Sequence, residues 1–201
     1  CFAMGKRSPY RGRDRFTTAA KQAGYPARSV FKLEEIDQKI PLVRKGGRYL
    51  DCGCRPGSWS VWIRRVAGAD AALLGIDVEP CEGYPGTFLQ LSVEDLTPDM
   101  VREHLGGPPD VVLSDMAPNT TGDRFGDHVR QIAIARRALE VATQTLAPGG
   151  AFVCKVFEGE DAPGFVDDVR KLFTTTKRIR PEAVRRESVE LFVLGMGYRP
   201  A

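Results

Sequence analysis

RYLDCGCRPGSW, at residues 48–59, decides the fold because an apolar run passes directly into a glycine-containing turn. The run predicts a strand, and the residues from position 58 onward predict a helix. Gly53 and Gly57 let the backbone approach a ligand closely, and the first N–H groups of the helix can bind that ligand. The stretch therefore predicts a ligand-binding turn at the carboxyl end of a strand.

The same alternation of strand and helix extends along the rest of the chain. Further strands are predicted at 71–78, 87–93, 110–116, 151–157, 177–181 and 189–197. Helices are predicted at 14–23, 28–39, 58–67, 97–105, 127–146 and 164–173. Most strands are nearly continuous in Val, Leu, Ile and Phe, which is typical of strands covered by helices on both faces. The pattern predicts an α/β fold with a mostly parallel sheet.

Length and composition are those of one globular domain. The chain has 201 residues, of which 42% are hydrophobic and 27% are charged, so fibrous and fully disordered classes are excluded. The longest apolar stretch, AALLGI at 71–76, is far shorter than the roughly 20 residues that cross a bilayer. We expect a basic extension with its helix at 1–40, a main domain at 41–201, and no membrane association.

Positive charge is concentrated near the start of the chain, although the net charge is only +3. Residues 1–32 contain eight basic side chains and one acidic side chain, and the remaining residues are net negative. Such a segment would be attracted to phosphate groups, while a solvated tail is the other interpretation. A transit peptide is disfavoured because Gly and Pro interrupt the amphipathic helix that it would need.

The cysteines and histidines indicate a reducing compartment and no structural metal. An odd number of cysteines without framework spacing favours free thiols in the cytoplasm. They are Cys1, Cys52, Cys54, Cys81 and Cys154. The two histidines are far from any cysteine pair in the sequence, which disfavours a zinc site.

Asp77 and Arg55 narrow the choice of ligand at the glycine turn. Asp77 ends the second strand about twenty residues after the turn, where an acid commonly accepts hydrogen bonds from ribose hydroxyls. The fingerprint for dinucleotides needs a glycine where Arg55 stands, which disfavours NAD. S-adenosylmethionine has a positively charged sulfonium and no pyrophosphate, so it suits a turn flanked by the acids Asp51 and Asp77. The sequence favours S-adenosylmethionine as the cofactor.

Four charged residues stand beside apolar runs. Asp115 ends the fourth strand, Lys155 interrupts AFVCKVF, and Glu190 begins the last strand. Such groups need a partner or a cleft, unless each simply reaches solvent at a strand end. Lys32 lies beside the apolar stripe of its helix, so its side chain can point along the surface toward a site. Together these residues predict a charged cluster at one edge of the sheet.

Five motifs resemble the FtsJ family of ribosomal RNA large-subunit 2′-O-ribose methyltransferases. They are ARSVFKLEEI, LDCGCRPGSW, VLSDMAPNTTG, GGAFVCKVFEG and RPEAVRRESVELF, and they occur in the family's order. The resemblance implies a Rossmann-like methyltransferase fold of seven strands with the last one antiparallel, and S-adenosylmethionine as methyl donor. It also implies a catalytic tetrad of Lys32, Asp115, Lys155 and Glu190. In bacterial members the substrate is a uridine ribose in large-subunit ribosomal RNA.

The analysis of the glycine turn and the resemblance, which supplies Gly57, Trp59, Asp77 and Asp115, together predict a set of cofactor-binding positions. They are Gly53, Gly57, Ser58, Trp59, Asp77, Ser92 and Asp115. Three positions depart from the family: Arg55 replaces a small residue, Ser58 replaces a glycine, and Ser92 replaces an acid. Glu94 or Asp95 could substitute for the missing acid.

The sequence is compatible with two roles for Lys155. A lysine that acts as a base near neutral pH must lose its proton far below its usual pKa of about 10.4. Lys32 would favour that loss and the two carboxylates would oppose it, so the sequence leaves the balance open. Either neutral Lys155 accepts the proton of the ribose hydroxyl, or charged Lys155 orients the hydroxyl while solvent takes the proton.

Basic and aromatic residues are the candidates for RNA contact. Phosphate contacts are expected from the basic segment, Arg28 and a late cluster of Lys177, Arg178, Arg180, Arg185 and Arg186. Tyr10, Phe16 and Tyr25 could stack on unpaired bases, although helix packing is the other interpretation, above all for Phe16.

We expect a monomer that acts on large-subunit ribosomal RNA. Three other functions stay open. The acceptor could be a transfer RNA or a cap, the chain could be a non-catalytic RNA-binding assembly factor, or it could be a dinucleotide oxidoreductase.

Overall fold

The computed structural model describes residues 15–119, 121–185 and 187–200, which contain seven strands and six helices. The strands are β1 (Arg48–Cys52), β2 (Ala72–Asp77), β3 (Thr87–Gln90), β4 (Val111–Ser114), β5 (Ala151–Phe157), β6 (Phe173–Ile179) and β7 (Glu190–Tyr198). The helices are α1 (Arg15–Gln22), α2 (Val30–Lys39), α3 (Ser58–Ala67), α4 (Pro98–Leu105), α5 (Arg124–Thr145) and α6 (Ala162–Leu172).

All seven strands form one sheet in the order β3-β2-β1-β4-β5-β7-β6. β7 runs antiparallel to both of its neighbours, and the other pairs are parallel. This confirms the expected α/β fold with a mostly parallel sheet and an antiparallel last strand. The strand order reverses between β1 and β4, so a crevice opens at the carboxyl ends of these two strands.

Helices cover both faces of the sheet, and alternate strand residues face opposite cores. Leu50 and Phe152 are buried in the core formed with α4, α5 and α6, whereas Tyr49 and Val153 are buried on the side of α2 and α3. Because both faces are covered, the strands need nearly continuous apolar sequence.

Two elements begin at least three residues before their predicted starts, for reasons visible in the structure, and β3 ends at Gln90 instead of residue 93. β6 begins at Phe173, where the sequence predicts the end of a helix, and the predicted strand covered only 177–181. This segment forms the edge of the sheet, and its threonines are mostly exposed. It therefore lacks the apolar run that predicts a buried strand. α5 begins at Arg124 instead of residue 127, because the Asp123 carboxylate accepts hydrogen bonds from the first N–H groups of the helix.

α2 packs tightly onto the main domain. Leu33 and Ile36 are completely buried against the side of the sheet that α3 also covers. The indole N–H of Trp59 in α3 donates to the backbone oxygen of Ser29 at 2.8 Å. These contacts fix the helix that carries Lys32.

Two of the aromatic residues considered for base stacking are partly buried and pack against Phe31 of α2. The Phe16 and Phe31 ring centroids are 5.7 Å apart, and those of Tyr25 and Phe31 are 6.5 Å apart. Helix packing is therefore what the structure shows for Phe16 and Tyr25. Tyr10 and the other residues before Arg15 lie outside the described residues.

Membrane helices and metal clusters are both absent from the part of the chain that the structure describes. No helix there is long and apolar enough to cross a membrane. Nor does any group of three or more His, Cys, Asp or Glu side chains there have an arrangement that could hold a metal ion. The four described cysteines are buried and free of disulfide bonds, and burial raises the pKa of the Cys154 thiol to about 12.

Asp51 is a buried carboxyl group at the end of β1. One of its oxygens lies 2.7 Å from Ser60 Oγ, which in turn lies 2.7 Å from the Tyr84 hydroxyl. Burial raises the pKa of Asp51 to about 7, because water cannot solvate the charged form. Asp51 therefore keeps its proton over a pH range in which an exposed aspartate is ionised.

Asp51→Asn should reduce the pH dependence of stability. Because the pKa of Asp51 is higher in the folded state, folding binds protons between roughly pH 4 and pH 7, and the free energy of unfolding falls as the pH rises through that range. One pKa unit corresponds to about 1.4 kcal/mol, so the contribution is at most about 4 kcal/mol. Denaturant unfolding of the wild type and the variant at about pH 5 and pH 8 measures it.

Asp70→Asn is the matched control, because Asp70 is exposed. The control should keep the pH dependence of the wild type. If Asp51→Asn also kept that pH dependence, the raised pKa of Asp51 would be wrong.

Candidate active site

Four charged side chains meet at the carboxyl ends of β4 and β5. They come from α2, from the residue after β4, from β5 and from the first residue of β7, and are Lys32, Asp115, Lys155 and Glu190. We call this group the tetrad. Each of its side chains is at most 17% exposed, so the charges must be balanced within the protein.

Charges alternate along the tetrad. Lys32 Nζ lies 2.8 Å from Glu190 Oε1 and 3.9 Å from Asp115 Oδ1. Lys155 Nζ lies 3.1 Å from the same Asp115 oxygen and donates a hydrogen bond of 2.6 Å to the backbone oxygen of Asp115. The two ammonium groups and two carboxylates cancel in formal charge, which makes their burial tolerable.

The alternation of side chains along strands explains why these residues meet. Val153 and Phe192 face α2 and α3. Lys155 lies two positions after Val153, and Glu190 lies two positions before Phe192, so both charged side chains are on this same face. Lys155 is also paired with Phe192 in the sheet register. α2 lies over this face, and its Lys32 ammonium lies 5.7 Å from the centre of the Phe192 ring.

Gln131 supports the tetrad from the opposite face of the sheet, and it was not among the residues predicted from the sequence. Its side-chain amide donates to the backbone oxygens of Lys155 at 2.8 Å and Met116 at 3.2 Å. These bonds tie the end of β5 to the loop after β4. Gln131 is completely buried in α5, next to Ile132. The sequence does not indicate this burial, which is visible only in the structure.

A cavity of about 370 Å³ opens beside Asp115 at the carboxyl ends of β1, β2 and β4. Four of the predicted cofactor-binding residues line it, namely Gly53, Asp77, Ser92 and Asp115. Apolar side chains form other walls, including those of Ile76, Leu91, Val93, Met116 and Ile134. We call it the glycine-turn cavity. Its volume lies in the range of small-ligand sites, and its apolar walls with a few polar groups are typical of them.

Gly53 brings the backbone to the edge of this cavity. Its φ is +71°, and a Cβ atom at this position would lie 2.4 Å from Met116 Cγ. Both observations require glycine at position 53. Gly57 also has a positive φ, +90°, and immediately precedes α3, but it does not line the cavity.

Arg55 is one of the residues that line the glycine-turn cavity. Its guanidinium lies 3.0 Å from the Glu79 carboxylate, and its side chain is more than half exposed. Its backbone N–H donates to Asp77 Oδ2 at 3.1 Å, and the Glu79 N–H donates to the other oxygen at 3.0 Å. The Asp77 carboxylate is thus held in place at the cavity wall.

Ser58 and Trp59 do not line the glycine-turn cavity. Ser58 Oγ is buried and has no hydrogen-bond partner among the described residues. The Trp59 ring packs 5.8 Å from the Phe192 ring, and its N–H donates to Ser29. The Trp59 side chain therefore supports α2 and lies away from the cavity where the resemblance placed a cofactor contact.

Ser92 and Glu94 contribute polar atoms to the same cavity, and Asp95 is not part of its lining. Ser92 Oγ accepts a hydrogen bond from the Glu94 N–H at 3.2 Å. The Glu94 carboxylate lies 3.3 Å from the Arg137 guanidinium. Of the two acids that could replace the family's acid at position 92, Glu94 is the one that reaches the cavity.

Lys177, Arg178 and Arg180 of the predicted late basic cluster are exposed, and two of them have partners within the protein. Arg178 lies 3.3 Å from the Glu158 carboxylate. Arg180 donates to the backbone oxygens of Arg185, Ser188 and Glu190, and so organises the loop before β7. Arg186 lies outside the described residues.

Arg28 and Arg185 line a second cavity next to the tetrad. This cavity has a volume of about 570 Å³ and is also lined by Lys32 and Glu190. We call it the arginine cavity. The Arg28 guanidinium also donates a hydrogen bond to the backbone oxygen of Ala183.

Comparison with known proteins gives the family. A sequence model described as FtsJ-like methyltransferase matches residues 25–198. The chain is 45% identical over 198 residues to Ribosomal RNA large subunit methyltransferase E of Sorangium cellulosum, which covers 97% of this chain and 92% of that protein. It is 43% identical over 186 residues to the protein of the same name from Desulfatibacillum aliphaticivorans, with 91% and 89% covered.

A solved structure gives the fold independently. A chain from Plasmodium falciparum, described as a ribosomal RNA methyltransferase, matches with a TM-score of 0.80 and 22% identity. The match covers 88% of this chain and 100% of that one. At this level of identity the likeness concerns the fold alone. The family match over most of the chain and the identity to these relatives show that this chain belongs to the FtsJ-like methyltransferase family.

Proposed function

We propose that this chain transfers a methyl group from S-adenosylmethionine to the ribose 2′-oxygen of a uridine in large-subunit ribosomal RNA. The observation that carries the proposal is the position of Asp115, which lines the glycine-turn cavity and also contacts both lysines of the tetrad. A donor in the cavity and a ribose at the tetrad would meet at this side chain. The names of the relatives supply the ribosomal substrate.

The glycine-turn cavity fits S-adenosylmethionine. When bound, this cofactor supplies a methyl group on a positively charged sulfonium. Asp77 would accept hydrogen bonds from the ribose hydroxyls, and apolar residues such as Ile76 and Leu91 would contact the adenine. Gly53 leaves room for close backbone approach, and the carboxylates of Asp77 and Asp115 suit a cationic ligand.

The tetrad would orient the ribose hydroxyl and manage its proton. Positioning of the oxygen relative to the methyl group accounts for a large share of the acceleration in such a transfer. Lys155 either accepts the proton in its neutral form or, in its charged form, stabilises the negative charge that develops on the oxygen. Lys32 is held by Glu190 and places a second positive charge beside Asp115.

Lys155→Ala should lower the single-turnover rate of methyl transfer by at least about 100-fold, the usual range for a group that handles a proton. S-adenosylmethionine affinity should stay near that of the wild type, because Lys155 does not line the glycine-turn cavity. Lys39→Ala is the matched control, since Lys39 is an exposed lysine on α2 that pairs with Glu35. A Lys155→Ala rate close to that of the wild type would contradict both versions of the mechanism.

A pH profile of the single-turnover rate should separate the two roles of Lys155. If the neutral amine is the base, the rate rises with pH and levels off where Lys155 has lost its proton. If the ammonium is required, the rate falls at high pH as that charge is lost. Either feature should disappear from the profile of Lys155→Ala, and a feature that persists in the variant must be assigned to another group.

Deletion of residues 1–13 should weaken binding to large ribosomal subunits more than binding to S-adenosylmethionine. The segment carries four basic side chains and no acidic one, so its contacts should be with phosphate and should weaken further with added salt. Filter binding at two salt concentrations and calorimetry with S-adenosylmethionine give the two affinities. Equal loss of both affinities would mean that the segment supports the fold.

One assay decides the proposed function. The protein is incubated with S-adenosylmethionine labelled in its methyl group and with large ribosomal subunits that lack the modification, and the labelled nucleotide is mapped. Methylation of a uridine 2′-oxygen is the expected result. Labelling only of transfer RNA or capped RNA would replace the substrate, and binding of the subunits without any transfer would indicate an assembly factor.

A further inference from the structure

The arginine cavity is next to the place where the target ribose would lie. It shares Lys32 and Glu190 with the tetrad, and the hydroxyl-bearing residues Ser29 and Ser188 also line it. In RNA, phosphate groups are attached to each ribose through its 3′ and 5′ oxygens. A ribose at the tetrad would therefore bring a flanking phosphate toward this cavity.

Two guanidinium groups supply the positive charge that is left in the arginine cavity. The Lys32 ammonium is 2.8 Å from the Glu190 carboxylate, so these two charges largely cancel. Burial lowers the pKa of Arg28, and so does the nearby positive charge of Arg185. The carboxylates of Glu190 and Glu187 raise that pKa. The two guanidiniums are thus close enough to repel each other, and a phosphate that contacts both would relieve the repulsion.

Glu187 places a carboxylate in the same cavity. The residue lines the cavity and is exposed. The Ser188 N–H donates to the Arg185 backbone oxygen at 3.0 Å. The Arg180 guanidinium donates to the same oxygen and to the backbone oxygen of Ser188. These bonds hold the backbone around Glu187 in place, so the negative charge of its side chain is kept close to the two guanidiniums.

We propose that Glu187 is the internal counter-ion of Arg28 and Arg185, and that it limits how tightly the arginine cavity binds an RNA phosphate. An entering phosphate must displace this carboxylate or bind against its repulsion. The cost is similar for every RNA, so it releases weakly bound RNAs and leaves a tightly bound substrate in place. This inference rests on the proposed RNA substrate and adds a residue that limits non-specific binding.

Glu187→Gln removes the charge and nearly keeps the size of the side chain. Its affinity for unmodified large ribosomal subunits and for single-stranded polyadenylate should rise about threefold, the size expected for one exposed charge interaction. The fall of affinity with added salt should become steeper, because the arginines then exchange a mobile salt anion, instead of the Glu187 carboxylate, for the phosphate. Filter binding at two salt concentrations measures both effects.

Glu140→Gln is the matched control because it makes the same change of net charge. Glu140 is an exposed residue of α5 that pairs with Arg137, and it does not line the arginine cavity. The RNA affinity of this variant should stay close to that of the wild type, since salt screens charges outside the cavity. An equal rise in Glu140→Gln would show a general effect of net charge and would overturn the role of Glu187.

A double-mutant cycle with Arg185→Gln tests the counter-ion role itself. Arg185→Gln alone should weaken RNA binding. The gain from Glu187→Gln should be smaller in that background than in the wild type, because part of the gain comes from the release of Arg185. Equal gains in the two backgrounds would contradict the counter-ion role.

The opposite change in affinity would also overturn the inference. Unchanged or weaker RNA binding by Glu187→Gln would mean that the carboxylate does not oppose the phosphate. The melting temperature of this variant should match that of the wild type, because Glu187 is exposed. If the wild type methylates subunits and Glu187→Gln binds them no more tightly, only the role of Glu187 fails; if the wild type methylates no RNA, the proposed function fails.

Discussion

The Asp115 carboxylate contacts the ammonium groups of Lys32 and Lys155. This contact requires the elements that carry the three residues to lie close together. Removal of one partner from a buried ion pair leaves an uncompensated charge, at a cost of about 3–5 kcal/mol. The three residues come from α2, the end of β4 and β5, and the pairing of Lys32 with Glu190 adds β7. Four separate elements must therefore be in place together. The backbone bonds from Gln131 fix the strand ends on which this arrangement is built.

The loop before β7 is held to the same group of elements from two sides. Arg180 donates to three backbone oxygens of the loop, among them that of Glu190 at 3.1 Å. On the α2 side, the Glu182 N–H donates to the Glu35 carboxylate at 2.6 Å. The loop also contributes Glu187 and Ser188 to the lining of the arginine cavity. The same short segment thus positions one member of the tetrad and shapes the surface on which RNA would lie.

Most of the fold could be predicted from the sequence because buried parallel strands leave a strong apolar signal. β6 was the main exception, since an edge strand of threonines has only a weak signal of this kind. Lys155 could be singled out because a charged residue in an apolar run needs a partner, and the motifs of the family pointed to the rest of the tetrad. The direction of the Trp59 indole and the partners of Gln131 could not be predicted, because both depend on contacts between elements that are far apart in the chain.

The antiparallel pairing of β7 limits how the length of this protein can change during evolution. Phe157 is paired with Glu190, and the register continues without interruption to Ala151 and Met196. Insertion or deletion of one residue between Glu190 and Phe192 would put these two side chains on opposite faces of the sheet. Gains and losses of residues are therefore compatible with the charged cluster in exposed turns such as 82–83, and incompatible with it between Glu190 and Phe192.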